Sequence, residues 1–530
     1  MNRINFFRIF LLLLTIFKPL NGANILCLFN VPSPSHHIWN TAIVKGLAAK
    51  GHNLTIVSPD IEVNKPANVN YIHLEKVYSS LYNATEEAEA MKIADFVNIE
   101  GIDLIKEFYV FQAKACEGQF KSKGFDIIND YPDNFNFDLV LYDFTCGPCL
   151  IGLMHKFKYP TLVSISAFSN PSYTTNLIGG HKYPAYIPYY SLSYDTNMNF
   201  WQRLYNTFLY VFDNLYRNYY ASKEIEILTQ KGFGYKDMPS VYDIEKKTNL
   251  MLLNTDVSHD YPEPITPNTI PVAGLHIKEP KVLPQDIKTF IESGKKGSVL
   301  FSLGTNIRSD QLSKENLEII IQALKQLPEY NFLWKFESDI SGLPKNVQVR
   351  AWLPQSDILA YKPYIKAFIT HSGLLSTQES IWRGVPMIAI PFFADQIRNA
   401  QKSVLNGIAE KVNFRTISVE ALRDTIRNVI ENPNYTKNIQ RMSYNFQDQP
   451  SKPLDRAIWW IEWALRHPDA THIQSPVLKL GFFRANSYDV LLFVLCIALY
   501  ICTKFYNLVH HFVVKKPKPK PKHLHHKKQE

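Results

Sequence analysis

The chain has 530 residues, 46% of them hydrophobic and 20% charged, with a formal net charge of +9 at pH 7. That length and apolar content suit two or three domains with ordinary buried cores, so no disulfide scaffold is needed. The charge excess does not mark a nucleic-acid binder. Lys504, Lys515, Lys516, Lys518, Lys520, Lys522, Lys527 and Lys528 face only Glu530, so this one end holds +7 of the +9.

Residues 1–22 carry Arg3 and Arg8, an apolar run from Ile9 to Phe17, a break at Pro19 and a small-residue exit at Gly22 and Ala23. This reads as a cleaved signal peptide, too short to span a bilayer. Ile25–Val31, a helix through Ile38–Lys50 and Leu54–Ser58 then give the strand–helix–strand rhythm of a parallel α/β sheet. Leu139–Tyr142 and Thr161–Ile165 are later strands on either side of the small-residue segment Cys146–Phe157, and Tyr183–Tyr242 is rich in Tyr, Phe and Asn. Such aromatics build either the walls of an apolar pocket or plain core.

A Pro-punctuated stretch, 261–284, reads as a linker. Beyond it the rhythm restarts, with strands at Ser298–Leu303, Asn331–Phe336, Lys366–Thr370 and Pro386–Ile390 and helices between them. A helix at Leu454–Arg466 follows, placed to return across the first domain. The expected organisation is an N-terminal α/β domain over 23–260, a second over 285–450, and a returning helix with a membrane-proximal segment over 451–487. Two such domains face a cleft, each supplying one substrate site.

Val490–Thr503 contains no charge, and Tyr488, Tyr500 and a snorkelling Lys504 extend it to a span over 488–506. The basic tail, 507–530, places that side in the cytosol, and its KKQE ending resembles a dilysine retrieval signal of reticulum membrane proteins. The expectation is a single-pass type I protein of the endoplasmic reticulum membrane, with the large part before the span luminal and the tail cytosolic. Glycosylation sequons fit that lumen at Asn53, Asn83 and Asn434, whereas Asn170 is excluded by Pro171. Of the six cysteines, Cys496 and Cys502 fall in the span, and the pairing of Cys27, Cys116, Cys146 and Cys149 stays open. Cys146-Gly-Pro-Cys149 has redox spacing, but its surroundings are not thioredoxin-like.

The densest chemistry lies between Trp352 and Gln396. A strand ends at Thr370-His371-Ser372-Gly373 and a helix begins at once, offering free N–H groups and a positive dipole end to a diphosphate. Ser302-Leu-Gly304-Thr305, at another strand end, makes a second small-residue loop. Either loop alone is an ordinary strand-to-helix turn.

Together, W-x-x-Q, T-H-x-G, a later Glu, G-V-P and D-Q resemble the nucleotide-sugar signature of the UDP-glycosyltransferase family, in the manner of its insect-type membrane-bound members. The resemblance extends over SHHIW, LYDFTCG, FSLGT, DRAIWWIEWALRH, the span and the lysine tail. One departure is an extra residue between Leu359 and Ala367, which predicts a bulge before Lys366. The resemblance implies a GT-B fold, two Rossmann-like domains facing a cleft, plus one C-terminal transmembrane helix. It implies that Trp352 stacks on uracil, Gln355 contacts the uridine and Glu379 holds the ribose hydroxyls. Ser302, Gly304, Thr305, His371, Ser372 and Gly373 would surround the diphosphate, and Asp395 and Gln396 the sugar.

It also implies a base, His36, with His37 beside it, oriented by Asp143. The acceptor oxygen would then attack the anomeric carbon in line, inverting it to a β-glycoside. No D-x-D occurs in the chain, so neither a metal nor a cofactor is expected; the UDP-sugar is a co-substrate, and a small lipophilic acceptor and the membrane are the other partners. Glucose is the expected sugar and glucuronate the alternative. A lipid or sterol transferase, a silent luminal binding protein and self-association stay open.

Overall fold

The computed structural model describes residues 22–82 and 99–514. The signal-peptide reading, the Asn83 sequon and the lysine tail beyond 514 lie outside them. The chain divides into two units, one ending at Gln474 and one starting at Ser475.

The first unit contains two parallel sheets. In the first, β1 (Asn24–Leu28), β2 (Asn53–Ser58), β3 (Val69–His73), β4 (Leu139–Asp143), β5 (Thr161–Ser166), β6 (Leu250–Leu253) and β7 (Thr269–Pro271) stand in the order 3-2-1-4-5-6-7. In the second, β8 (Ser298–Ser302), β9 (Asn331–Lys335), β10 (Val347–Arg350), β11 (Ile365–Thr370), β12 (Met387–Ala389) and β13 (Ala409–Lys411) stand in the order 10-9-8-11-12-13. Both are doubly wound Rossmann-type sheets. The order reverses between β1 and β4 in one and between β8 and β11 in the other, which is where such sheets open a crevice at their C-terminal edge.

Successive residues of a strand serve opposite cores, because side chains alternate across the pleat. Ile25 and Cys27 of β1 pack on one face, Leu26 and Leu28 on the other. With helices on both faces, such strands are apolar throughout, which is why they read as continuous runs. In β11 the alternation slips. Ile365 and Phe368 share one face although three residues apart, because the register against β8 shifts between Ile365 and Ala367. Lys366 is the extra, exposed residue of that bulge, which therefore lies within the strand and not in the turn before Lys366 as expected.

The stretch 261–284 is not wholly irregular. Thr269–Pro271 adds β7 to the first sheet, and Pro271 is tolerated there because β7 is an edge strand. The helix Pro453–Arg466 does return to the first sheet, burying Ala457, Ile458, Ile461 and Ala464 in its core against the helix Pro34–Ala49. Gly46 permits that approach, since a Cβ there would stand 2.8 Å from Ile458 Cδ1.

The aromatic region matches only one of the two earlier alternatives, plain core, and only in part. Tyr189 and Leu209 join a small core with Ile105 and Tyr109, while other aromatics of the helix Phe200–Tyr216 stay exposed. Cys149 pairs with Cys116, not with Cys146, and the Cys27 and Cys146 thiols are free and buried. In the second unit the helix Tyr488–Val514 runs past the expected end at 506. Its residues Tyr488–Val513 are long and apolar enough to cross a membrane.

Candidate active site

His36 sits at the third position of the helix Pro34–Ala49, directly after β1. Pro34 opens that helix, its fixed φ being preset for a first turn. The turn aims His36 at the end of β4, where Nδ1 lies 3.1 Å from Asp143 Oδ2. Asn40, one turn on, donates to the same oxygen at 3.1 Å. Thr145 donates its N–H at 3.1 Å and its hydroxyl at 2.7 Å to Asp143 Oδ1. Burial alone would raise the Asp143 carboxyl, but the His36 charge and these hydrogen bonds hold it below the usual carboxylate range. A carboxylate on Nδ1 fixes the tautomer and leaves Nε2 for chemistry. His36 is further braced edge-on by Phe168, with ring centroids 5.0 Å apart.

His37 is oriented differently. It is half-buried beside Tyr71, with Nε2 3.5 Å from Thr41 Oγ1, and burial lowers its pKa. The structure therefore joins His36, and not His37, to Asp143.

On the second sheet, β8 and β11 end side by side. Ser302 Oγ accepts from Gly304 N at 3.2 Å, and Thr370 Oγ1 accepts from Ser372 N at 3.2 Å. Ser372 has φ of 64°, so the turn before the next helix is a left-handed one. The His371 ring lies between two glycines: a Cβ on Gly373 would stand 2.4 Å from its Nε2. Burial and the Lys335 charge push the His371 pKa down to about 4, so the ring is neutral at pH 7. Its Nδ1 and the Ser372 hydroxyl are buried without a partner. At the end of a parallel strand, before a helix N-terminus, such polar atoms are placed where an anion or a hydroxyl can bond them. Gly373 caps the helix Leu374–Arg383, whose first turn carries no acidic side chain. No carboxylate of its own first turn therefore competes for its free N–H groups.

Gln355 Nε2 donates to Glu379 Oε2 at 2.7 Å and to Ser376 Oγ at 3.0 Å, linking the helix Gln355–Leu359 to the helix Leu374–Arg383. Burial raises the Glu379 pKa to about 7. Trp352 is 64% exposed, a flat face without protein over most of it. Asp395 begins the helix Asp395–Leu405, and its Oδ2 accepts from Asn399 Nδ2 at 2.8 Å. Asn399 also donates to Ser372 O at 3.1 Å, tying the Asp395 loop to the β11 turn. Burial raises the Asp395 pKa, while the charges of Arg398 and His36 oppose the rise. Gln396 is committed to its own loop, its Oε1 accepting from Phe392 N at 2.9 Å and Phe393 N at 3.3 Å. Thr305 lies half-buried after Gly304. Asn53 and Asn434 are both exposed.

The two strand-end crevices meet. Ser33, just before the His36 helix, and Asn306, just after the Gly304 loop, are joined at 3.2 Å. Arg398 donates to Ser169 Oγ, and Lys402 pairs with Asp260. Asn40, Thr145, Asn399, Ser376 and Arg398 escaped the sequence reading. The i, i+4 spacings of His36–Asn40 and Asp395–Asn399 are the signals that pointed to two of them.

Two facing Rossmann-type sheets, a His–Asp pair at one switch point and an anion-ready turn at the other define a GT-B nucleotide-sugar glycosyltransferase. The comparisons agree. The family model described as "UDP-glucoronosyl and UDP-glucosyl transferase" matches residues 27–520. The chain is 30% identical to "UDP-glucosyltransferase 2" of Dactylopius coccus, over 95% of this chain and 97% of that one. It is 33% identical to "UDP-glucuronosyltransferase 2B15" of Rattus norvegicus, over 91% and 93%. Among solved structures it is similar in fold to CalG4, the calicheamicin glycosyltransferase, with TM-score 0.54 and 16% identity over 84% of this chain and 99% of that one. The chain belongs to the UDP-glycosyltransferase family and is a glycosyltransferase enzyme.

Proposed function

We propose that the enzyme transfers glucose from UDP-glucose to a hydroxyl of a small lipophilic acceptor, with inversion and without a metal. The buried His36–Asp143 pair beside the β8–β11 crevice carries this reading. His36 Nε2 takes the acceptor proton, and the freed oxygen lone pair forms the bond to the anomeric carbon. The bond from that carbon to the diphosphate oxygen breaks, its electron pair leaving with UDP. Asp143 stabilises the imidazolium as its charge develops. His371, the Ser372 hydroxyl and the N–H groups after Gly373 receive the charge on the diphosphate. Trp352 stacks on uracil, Gln355 contacts the uridine and Glu379 accepts from the ribose hydroxyls. Asp395 accepts from the sugar hydroxyls. Gln396 supports it by holding the loop, with its amide nitrogen left for the sugar. The enzyme is anchored by Tyr488–Val513 in the reticulum membrane as a type I protein, its catalytic part and exposed Asn53 and Asn434 in the lumen.

Glucose is supported by the printed name of the Dactylopius coccus relative. Glucuronate is a second reading, favoured by Arg398. This cation is buried, its Nε has no partner, and its charge acts on Asp395. The test offers UDP-glucose and UDP-glucuronate in parallel, with phenolic acceptors and a chelator, to membranes holding the full chain. β-Glucoside formation that is lost in His36→Ala supports the reading. Transfer from UDP-glucuronate alone replaces the donor, and unchanged turnover by His36→Ala removes the base.

A further inference from the structure

Past β7 the chain runs along the helix Leu374–Arg383, and His276 sits midway in that contact. The segment is fixed at both ends: Gly274 N donates to Gln378 Oε1 at 3.3 Å, and Lys278 O accepts from the Arg383 guanidinium. A tight turn, with Ile277 N donating to Gly274 O at 2.9 Å, shapes the residues between. Leu275 enters the core of the first sheet, whereas Ala273 and Ile277 pack with the core of the second. With its neighbours committed to opposite cores, His276 is left facing the helix, where Nε2 lies 3.9 Å from Glu379 Oε1.

The imidazole is enclosed but unused. Its side chain is 1% exposed, yet neither ring nitrogen has a hydrogen-bond partner among the described residues. Burial keeps the ring neutral at pH 7; the Leu375 backbone opposes that effect without completing a hydrogen bond, and the Lys278 charge adds to it. Buried donors and acceptors of this kind are normally completed by a ligand or a water. The 3.9 Å gap to Glu379 is too long for a direct hydrogen bond and short enough for one oxygen to bridge. Glu379 Oε2 is already held by Gln355 at 2.7 Å, so the gap faces the carboxylate oxygen that is still free. The bridging oxygen must donate to a carboxylate and accept from an N–H. A hydroxyl does both, whereas a carbonyl or phosphate oxygen only accepts. Glu379 keeps 14% exposure, and that is the side from which a ligand reaches the pair.

We infer that His276 is a second ribose-binding residue, its Nε2–H donating to the same hydroxyl that donates to Glu379 Oε1. This rests on the ribose role given to Glu379 above, and it adds a residue of the linker to a donor site otherwise built on the second sheet. The linker then takes part in choosing the nucleotide, selecting a ribose over a sugar that lacks its hydroxyls.

The test is a binding cycle on the full chain, with calorimetry of UDP and of its 2′,3′-dideoxy analogue against the parent, His276→Leu, His276→Gln and Glu379→Gln. An apolar replacement of a buried group that has no partner is nearly neutral for stability, so His276→Leu is expected to fold with an unchanged unfolding midpoint. It should lose about three- to tenfold in affinity for UDP, the worth of one hydrogen bond, and nothing for the dideoxy analogue. His276→Gln, whose amide still donates, should recover part of the preference for UDP. Equal losses for both nucleotides in His276→Leu overturn the inference in favour of a packing role. Unchanged UDP affinity in both His276 variants overturns it in favour of a bridging water. A parent enzyme that binds the two nucleotides alike, or whose preference survives Glu379→Gln, overturns the ribose role of Glu379 and the inference with it.

Discussion

Gly304 and His371 touch across the mouths of β8 and β11: a Cβ on Gly304 would stand 2.4 Å from His371 Cε1 and 2.6 Å from Nε2. The glycine is also held at φ of 83°, where an L side chain is strained. Space and backbone thus demand the same residue, and the ring it admits carries the unpaired Nδ1 of the proposed diphosphate site.

Gly304→Ala is therefore expected to weaken donor binding while the fold survives. Local strain of this kind is worth about 1–3 kcal/mol. The check is KM for the UDP-sugar set against KM for the acceptor. The donor value should rise alone; equal rises in both would place the damage elsewhere.

Trp352→Ala should separate binding from stability. The side chain is 64% exposed, so little packing is lost on truncation. Base–aromatic stacking contributes about 1–3 kcal/mol. The expected outcome is a donor KM raised by roughly ten- to a hundredfold at an unchanged unfolding midpoint. An unchanged KM would remove Trp352 from the uracil site.

Asp143→Asn is expected to lower kcat by about a thousandfold or more, because the amide cannot stabilise an imidazolium and favours the wrong tautomer. Whichever oxygen it replaces, the buried amide nitrogen would face a donor, Thr145 on the Oδ1 side or Asn40 on the Oδ2 side, so stability should fall. In the parent enzyme the Asp143 pKa is depressed. Its contribution to stability is then complete above the ordinary carboxylate range and lost only as pH falls through the lower folded value. Acid unfolding of the variant should begin at higher pH, as followed by tryptophan fluorescence.

Most of what positions the site was legible in the sequence. Buried parallel strands are unbroken apolar runs, and their ends carry the small and polar residues that open the crevices. The irregularity at Lys366 showed as a single surplus residue, though its place inside β11, and not in the turn before it, did not. What stayed hidden depended on tertiary packing. β7 escaped because Pro271 belongs at an edge, and nothing local says which strand lies at an edge. The choice between His36 and His37 required the angle at which a helix meets β4. Cys146 shares a motif with Cys149, yet the strand-end loop turns Cys149 toward Cys116 on the helix Gly101–Lys121, with Cα atoms 5.8 Å apart. The exposed aromatics of the helix Phe200–Tyr216 were unreadable because they have core composition and only the fold says which way they face.

That pairing predicts a bond map. Peptides from the unreduced enzyme should link Cys116 to Cys149 and leave Cys146 as a thiol. The bridge closes a loop with a sequence separation of 33. A loop of that length is worth about 3–4 kcal/mol in the chain-entropy picture. Cys116→Ala should lower the urea midpoint accordingly, and reductant should have no further effect on the variant.

Glu379 makes donor binding a pH experiment. Its carboxyl is raised to about 7 by burial, against the pull of Gln355, and His276 Nε2 is 3.9 Å from Oε1. Burial also holds His276 down to about 4, so that ring is neutral and gives no compensating charge. A folded pKa above the unfolded one stabilises the protein fully at low pH, and the stabilisation is lost as pH rises through about 7. Ribose hydroxyls donate, and only the carboxylate accepts with both oxygens, so the donor selects the deprotonated form. Binding should then release a proton near neutrality, and affinity for UDP should rise between pH 6 and pH 8, a range about one unit either side of that pKa. Calorimetry in two buffers of different ionisation heat measures the release directly. Glu379→Gln should weaken binding and flatten the pH dependence together. A parent enzyme whose UDP affinity is flat across that range would sink the ribose role given to Glu379.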